Sequence, residues 1–215
     1  MVFDLDGTLI DSAPDIADAV NALVVELGRP ALTLESVRPM IGDGMRNLVA
    51  RALSAGGEPP SPGDVEVFAK RCLAIYEAHP VLRTRPFAGV VETLERLHRS
   101  GFALAVCTNK PDRPARAILD ALELSGFFGA LVGGESAPAL KPDPRHLAHT
   151  LERLGAVPGS AVMVGDSGND VNVARGLGVP SVCVTYGYST VPVESLGADR
   201  LIDDFADLIG ALEGL

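Results

Sequence analysis

Asp4-Leu5-Asp6-Gly7-Thr8-Leu9 sets two carboxylates two residues apart at the end of a short apolar run, Val2–Leu5. Acids so placed at a strand end can converge on one small site. One then serves as nucleophile, and the other, kept protonatable, as acid and afterwards base. An acidic Asp-Gly turn is the plain alternative. A calcium loop beginning at Asp4 fails, because it needs glycine where Leu9 stands. Gly7 and Thr8 are expected to offer backbone N–H groups to an anion there.

Three further segments have chemistry to contribute. Cys107-Thr108-Asn109-Lys110 follows another apolar run and offers a hydroxyl and an amide to a phosphoryl oxygen, with a helix cap as the alternative. Leu140-Lys141-Pro142-Asp143-Pro144 holds one of only three lysines (Lys70, Lys110, Lys141) among 18 basic residues. A lysine in so arginine-rich a chain suggests a compact point charge rather than a planar fork. Val164-Gly165-Asp166-Ser167-Gly168-Asn169-Asp170 again runs from a strand end into a helix. Its carboxylates together with Asp4 would form the oxygen-rich, partly hydrated site that magnesium prefers.

These pieces fit one reaction. A carboxylate approaching a phosphate dianion at ~3.5 Å meets roughly 9 kcal/mol of repulsion at an effective dielectric of ~20. A divalent cation and a nearby ammonium answer that repulsion. A neutral acid beside the nucleophile can protonate the leaving alkoxide and later activate water.

The elements that must position them alternate along the chain. Ala103–Thr108, Ala130–Gly133, Ala161–Gly165 and Ser181–Thr185 read as buried strands, with helices expected over Val90–Ser100, Arg113–Leu124, Pro144–Leu154 and Asn169–Leu177. That alternation implies an α/β fold, a doubly wound parallel sheet covered on both faces. Residues 13–81 carry helical signals and no strand. Ser12 and Asp15 form a capping-box pattern with Pro14 in the first turn. Ile16, Val20, Leu23, Val24 and Leu27 share one helical face, and further helices are expected over Asp43–Leu53 and Asp64–Tyr76. The chain therefore reads as a core of residues 1–12 and 82–215 with a helical cap, 13–81, inserted over the strand ends.

In their order, the four segments resemble the four motifs of the haloacid dehalogenase superfamily, in its magnesium-dependent phosphatase branch. The resemblance implies a Rossmann-like core with an inserted α-helical cap. It implies Asp4 as nucleophile, Asp6 as general acid/base, and Thr108 and Lys141 holding the phosphoryl group, with Gly7, Thr8 and Asn109 beside it. It implies Mg²⁺ on Asp4, Asp166 and the Asp6 backbone carbonyl, with Asp170 supporting the metal or Lys141. The dehalogenases themselves lack the second acid of the first motif, so Asp6 argues for phosphate chemistry. Within the superfamily the chain is most similar to the phosphoglycolate phosphatases, whose cap loop resembles Ile41–Val49. There Gly42, Asp43 and Gly44 would approach a small substrate, and Arg46 would bind its carboxylate; a capped helix start with Arg46 in solvent is the alternative. A phosphosugar phosphatase or β-phosphoglucomutase of the same superfamily is a neighbouring reading. A non-hydrolytic phosphoacceptor signalling module is one of another class, disfavoured by the Asp4/Asp6 pair and the insertion.

Composition limits the partners. The net charge is −10 and no Lys/Arg run exists, so no basic face is available for nucleic acid. Cys72, Cys107 and Cys183 are odd in number and far apart, which fits reduced thiols in a cytoplasmic protein. The Met-Val-Phe-Asp start lacks the basic region of a signal peptide. No apolar run approaches the ~18 residues of a membrane span. His146 and His149, one turn apart, read as a solvated helix face. The expected partner is a small phosphorylated metabolite, with monomer and homodimer both open.

Overall fold

The computed structural model describes residues 1–79 and 81–215. The chain opens with β1 (Val2–Phe3) and β2 (Ile10–Asp11), then runs through α1 (Ala13–Glu26), α2 (Leu34–Val37), α3 (Met45–Ala55) and α4 (Pro62–Ala78). It returns through β3 (Arg85–Pro86), α5 (Val90–Arg99), β4 (Ala105–Cys107), α6 (Asp112–Ala121) and β5 (Ala130–Val132). It ends with α7 (Pro144–Leu154), β6 (Met163–Gly165), α8 (Gly168–Leu177), β7 (Ser181–Val184), β8 (Arg200–Ile202) and α9 (Leu208–Ala211).

Six strands make one parallel sheet in the order β5-β4-β1-β6-β7-β8. β1 lies inside it, with Phe3 in register with Val106 on one side and Val164 on the other. The chain leaves β1 outward through β4 and β5, then comes back to β6 and runs outward the other way. Strand order therefore reverses beside β1, and open α/β sheets bind ligands beyond the carboxyl ends of the strands at such a point. Two residues are enough for β1 to serve both faces, because successive side chains alternate. Phe3 joins the buried cluster of Leu94, Ile118 and Phe205, while Val2 joins that of Leu147, Leu151 and Val173. This is the doubly wound core that the apolar runs imply.

β2 and β3 pair antiparallel, Ile10 with Pro86 and Asp11 with Arg85, and draw together the two ends of the intervening helical segment. Within it α4 packs on α1 and α3. Ile16, Val20, Leu23 and Val24 of α1 and Val65, Ala69, Cys72 and Tyr76 of α4 are buried, as their helical spacing demands.

Several local expectations fail for physical reasons. The Ser12/Asp15 capping box does not form, because both side chains have other partners. The Ser12 hydroxyl donates to Asp6 Oδ1 at 2.5 Å. Asp15 accepts from the backbone N–H groups of Leu82, Arg83 and Thr84 and from the Thr84 hydroxyl, tying α1 to the returning chain. α3 begins at Met45 rather than Asp43, whose carboxylate instead accepts from Asn169. His146 is fully buried, not solvated, with Nε2 3.3 Å from the Val132 carbonyl. Burial pushes it down to about 4 and holds it neutral. The unexpected elements are short: α2 spans four residues on a Thr33 cap, and only Ile202 of β8 is buried.

Candidate active site

Asp4 leaves β1 directly and is buried at the centre of the sheet's carboxyl edge. The Lys141 ammonium reaches it from the loop before α7, 2.9 Å from Asp4 Oδ1 and 2.6 Å from Asp170 Oδ1. The Asp4 contact is an ion pair off the hydrogen-bonding direction, so Oδ1 remains a buried oxygen without a directed donor. Burial pushes Asp4 up to about 6, with Lys141 pulling down and Asp170 pushing up. Burial would strip Lys141 of its proton, but Asp170 and Asp4 overrule it and raise its pKa above the ordinary 10.5. The ammonium is therefore held charged next to the nucleophile candidate.

Asp166 and Asp170 follow β6, where the chain enters α8. Asp170 Oδ2 accepts from the N–H of Asp166 and from both the N–H and hydroxyl of Ser167, while Oδ1 takes Lys141. One carboxylate thus caps the helix start and anchors the lysine. The backbone at Gly165 runs so close to Asp170 that a Cβ there would overlap its carboxyl group. Asp166 accepts from the Tyr188 N–H at 2.6 Å and from the Thr8 hydroxyl at 3.2 Å. Burial, then Asp170 and Asp4, push Asp166 well above the usual carboxylate range.

Asp4, Asp166 and Asp170 each bring an oxygen within 4.8 Å of the other two. Three buried carboxylates face one buried ammonium, an imbalance that a divalent cation would remove. An all-oxygen set suits a hard cation. Asp170 has spent both oxygens on protein donors, Lys141 on one and Ser167 with the Asp166 N–H on the other, and Asp166 likewise accepts from Thr8 and Tyr188.

Asp6 lies beyond Asp4 on the same turn. Its carboxylate takes the Ser12 hydroxyl and the Lys110 ammonium, the latter at 3.0 and 3.1 Å. The turn needs Gly7: φ is +86° and a Cβ would sit 2.5 Å from Asp166 Oδ2. Its N–H goes to the Ile10 carbonyl and that of Thr8 to Leu5, so neither is offered to an anion as the sequence suggests. The turn closes on itself with those donors, and what Thr8 brings to the site is its hydroxyl on Asp166. Thr108 follows β4 and is buried; its oxygen accepts from the Lys110 N–H, leaving its own proton to donate. The Asn109 amide is committed to structure. It bridges Lys141, accepting from its N–H and donating to its carbonyl, and donates to Gly42 of the cap.

The cap closes over these groups. A cavity of about 40 Å³ remains between Asp4, Asp6, Thr108 and Lys110 below and Ile41, Leu48 and Tyr76 above. A water needs about 10–15 Å³ on that scale, so this partly open space has room for a group of a few heavy atoms. Gly42 and Gly44 line it. Asp43 points away to Arg51 and Asn169, and Arg46 is exposed on a neighbouring groove shared with Glu135. The four cap-loop residues are therefore not gathered at one place.

A family model of haloacid dehalogenase-like hydrolases matches residues 1–184. The chain belongs to that family. This haloacid dehalogenase-like hydrolase is 44% identical over 208 residues to a phosphoglycolate phosphatase of Caulobacter vibrioides, covering 97% of this chain and 88% of the relative. It is 42% identical over 212 residues to the phosphoglycolate phosphatase of Rhodospirillum rubrum, at 97% and 88% coverage. The crystal structure of a predicted phosphoglycolate phosphatase from Haemophilus somnus superposes with a TM-score of 0.91 at 33% identity, covering 97% of this chain and 95% of that one. CbbY from Rhodobacter sphaeroides, solved in complex with phosphate, follows at 0.79 and 26% identity, covering 98% and 97%. The hydrolase is of the phosphoric monoester class, and no helix among its described residues is long and apolar enough to cross a membrane.

Sequence reasoning missed Lys110, Tyr76, Ser12 and Tyr188 at this site. Only Lys110 left a signal, as one of three lysines and two residues past Thr108.

Proposed function

We propose that this enzyme hydrolyses a small phosphate monoester, 2-phosphoglycolate first among candidates, through a phosphoryl group carried on Asp4. The observation that carries the reading is the pairing of a buried, Lys141-bound Asp4 with a second acid two residues on, both lining one small cavity beneath the cap. Asp4 attacks phosphorus while Thr108 donates to a phosphoryl oxygen and Lys141 offsets the charge that makes the approach costly. Asp6, protonated, gives its proton to the departing alkoxide oxygen as the P–O bond breaks. As a carboxylate it then takes a proton from the water that attacks phosphorus and releases inorganic phosphate, which restores both acids. Asp4, Asp166 and the Asp6 backbone carbonyl would hold Mg²⁺, with Asp170 supporting through Lys141. When bound, the cation neutralises phosphoryl charge and fixes its orientation. Gly7, Thr8 and Asn109 keep these groups in register around the phosphoryl group.

Support for 2-phosphoglycolate comes from the names of relatives that the chain matches over most of their length. The test is phosphate release from a panel of monoesters that includes sugar phosphates, with Mg²⁺ and then with a chelator. The expected result is chelator-sensitive turnover, highest on 2-phosphoglycolate. A sugar phosphate ranking first would overturn the substrate, and turnover indifferent to chelation would overturn the metal.

A further inference from the structure

The cavity holds a cation that the phosphoryl chemistry does not employ. The Lys110 side chain is 5% exposed, and it is the only basic side chain lining the cavity among the described residues. Its ammonium lies between the Asp6 carboxylate and the face of Tyr76, 4.6 Å from the ring centroid. Lys141 already supplies the positive charge at Asp4. Above it, the buried Tyr76 hydroxyl makes no well-directed hydrogen bond and has only the Lys110 ammonium beside it, although an unsatisfied buried hydroxyl is costly. The remaining cap surface here is apolar, from Ile16, Ile41, Met45 and Leu48. An anion entering such a space would pay heavily for desolvation unless a cation and a donor met it. Arg46, the residue that the sequence suggests for this task, is exposed and lines another groove.

We propose that Lys110 and Tyr76 form the subsite for a second oxyanion of the substrate, a carboxylate, with Lys110 pairing with it and the Tyr76 hydroxyl donating to it. The proposal rests on the phosphoglycolate reading and names the residues that would select that substrate. Lys110 is then a specificity-determining residue with two stations. It lies on Asp6 when the cavity is empty and shares itself with the substrate carboxylate when the cavity is filled.

The experiment compares kcat/KM on 2-phosphoglycolate and on 2-hydroxyethyl phosphate, which keeps the carbon skeleton and replaces the carboxylate by an alcohol. Wild type, Lys110→Met, Lys110→Arg, Tyr76→Phe and Arg46→Ala are measured with Mg²⁺ present. Lys110→Met is expected to cut the preference for the carboxylate substrate about ten- to a hundredfold, chiefly through KM, with partial recovery in Lys110→Arg. Tyr76→Phe, which keeps the packing, should cut it several-fold even if the lysine variants fold poorly. Arg46→Ala should move the ratio less than about twofold. Equal losses on both substrates in Lys110→Met and Tyr76→Phe would overturn the subsite and leave Lys110 as a partner of Asp6 alone. A ratio that collapses only in Arg46→Ala would also overturn it. Wild-type enzyme that turns over other monoesters but not 2-phosphoglycolate would instead sink the substrate reading, and the carboxylate subsite with it.

Discussion

The floor and the roof of the cavity are built from opposite materials. On the floor, Lys141, Asp170, Asp166 and Asp6 each hold partners at 2.5–3.2 Å. The roof offers apolar side chains, two glycines and one hydroxyl without a well-directed hydrogen bond. It meets the floor through a few polar links, such as Asn109 to the Gly42 carbonyl at 2.9 Å and Asn169 to Asp43 at 2.7 Å. A floor whose charges are fixed before substrate arrives suits a reaction whose cost is electrostatic. A roof with little built-in polarity can change its substrate by changing few residues. The contrast points to the core for reaction type, and to the cap together with Lys110 beneath it for substrate choice.

The largest effect should come from the floor. Asp170→Asn removes the anion that holds Lys141 at 2.6 Å. Breaking a buried pair is expected to cost about 3–5 kcal/mol of stability, and turnover should fall at least about a hundredfold on every monoester. Steady-state rates on several substrates with urea unfolding check this. A loss confined to one substrate would blur the division between floor and roof.

The tie between the two regions comes next. Burial pushes Asp15 up, but the Thr84 hydroxyl and the N–H groups of Thr84, Arg83 and Leu82 overrule it and leave its pKa below the ordinary 3.8. Asp15→Ala would strand those donors and should cost about 1–3 kcal/mol at neutral pH. Because the folded-state pKa is depressed, this contribution is full above the unfolded value and is lost as pH falls through the folded one. Unfolding at neutral pH and near about pH 3 should therefore show the gap between wild type and variant shrinking on acidification. A gap that stays constant would mean the carboxylate charge contributes nothing.

The smallest effect belongs to the polar links. Asn169→Ala removes one donor to the cap loop, and KM should rise about two- to fivefold with kcat nearly unchanged. A large fall in kcat would give the cap a part in the chemistry.

Most of the floor was legible in the sequence because these apolar runs end in the residues that the fold brings to the carboxyl edge of the sheet. Asp4 after Val2-Phe3, Thr108 after Cys107 and Asp166 after Gly165 stand where β1, β4 and β6 stop. The roof was hidden because its residues have ordinary alternative uses. Tyr76 reads as one more apolar position on α4, and only the folded chain shows its hydroxyl above Lys110. Ser12 and Asp15 fit a local capping pattern, and long-range partners outcompete it. β2, β3 and β8 are two or three residues long and hold few buried side chains, so periodicity has nothing to register.

The central claim is that Asp4 carries the phosphoryl group while Asp6 completes the cycle. The most direct test is rapid quenching of Asp6→Asn with substrate radiolabelled at phosphorus, followed by peptide mapping. The account predicts label that accumulates on the peptide containing Asp4 and is absent when Asp4→Asn is added. Normal phosphate release with no labelled protein, or label on another peptide, would contradict it.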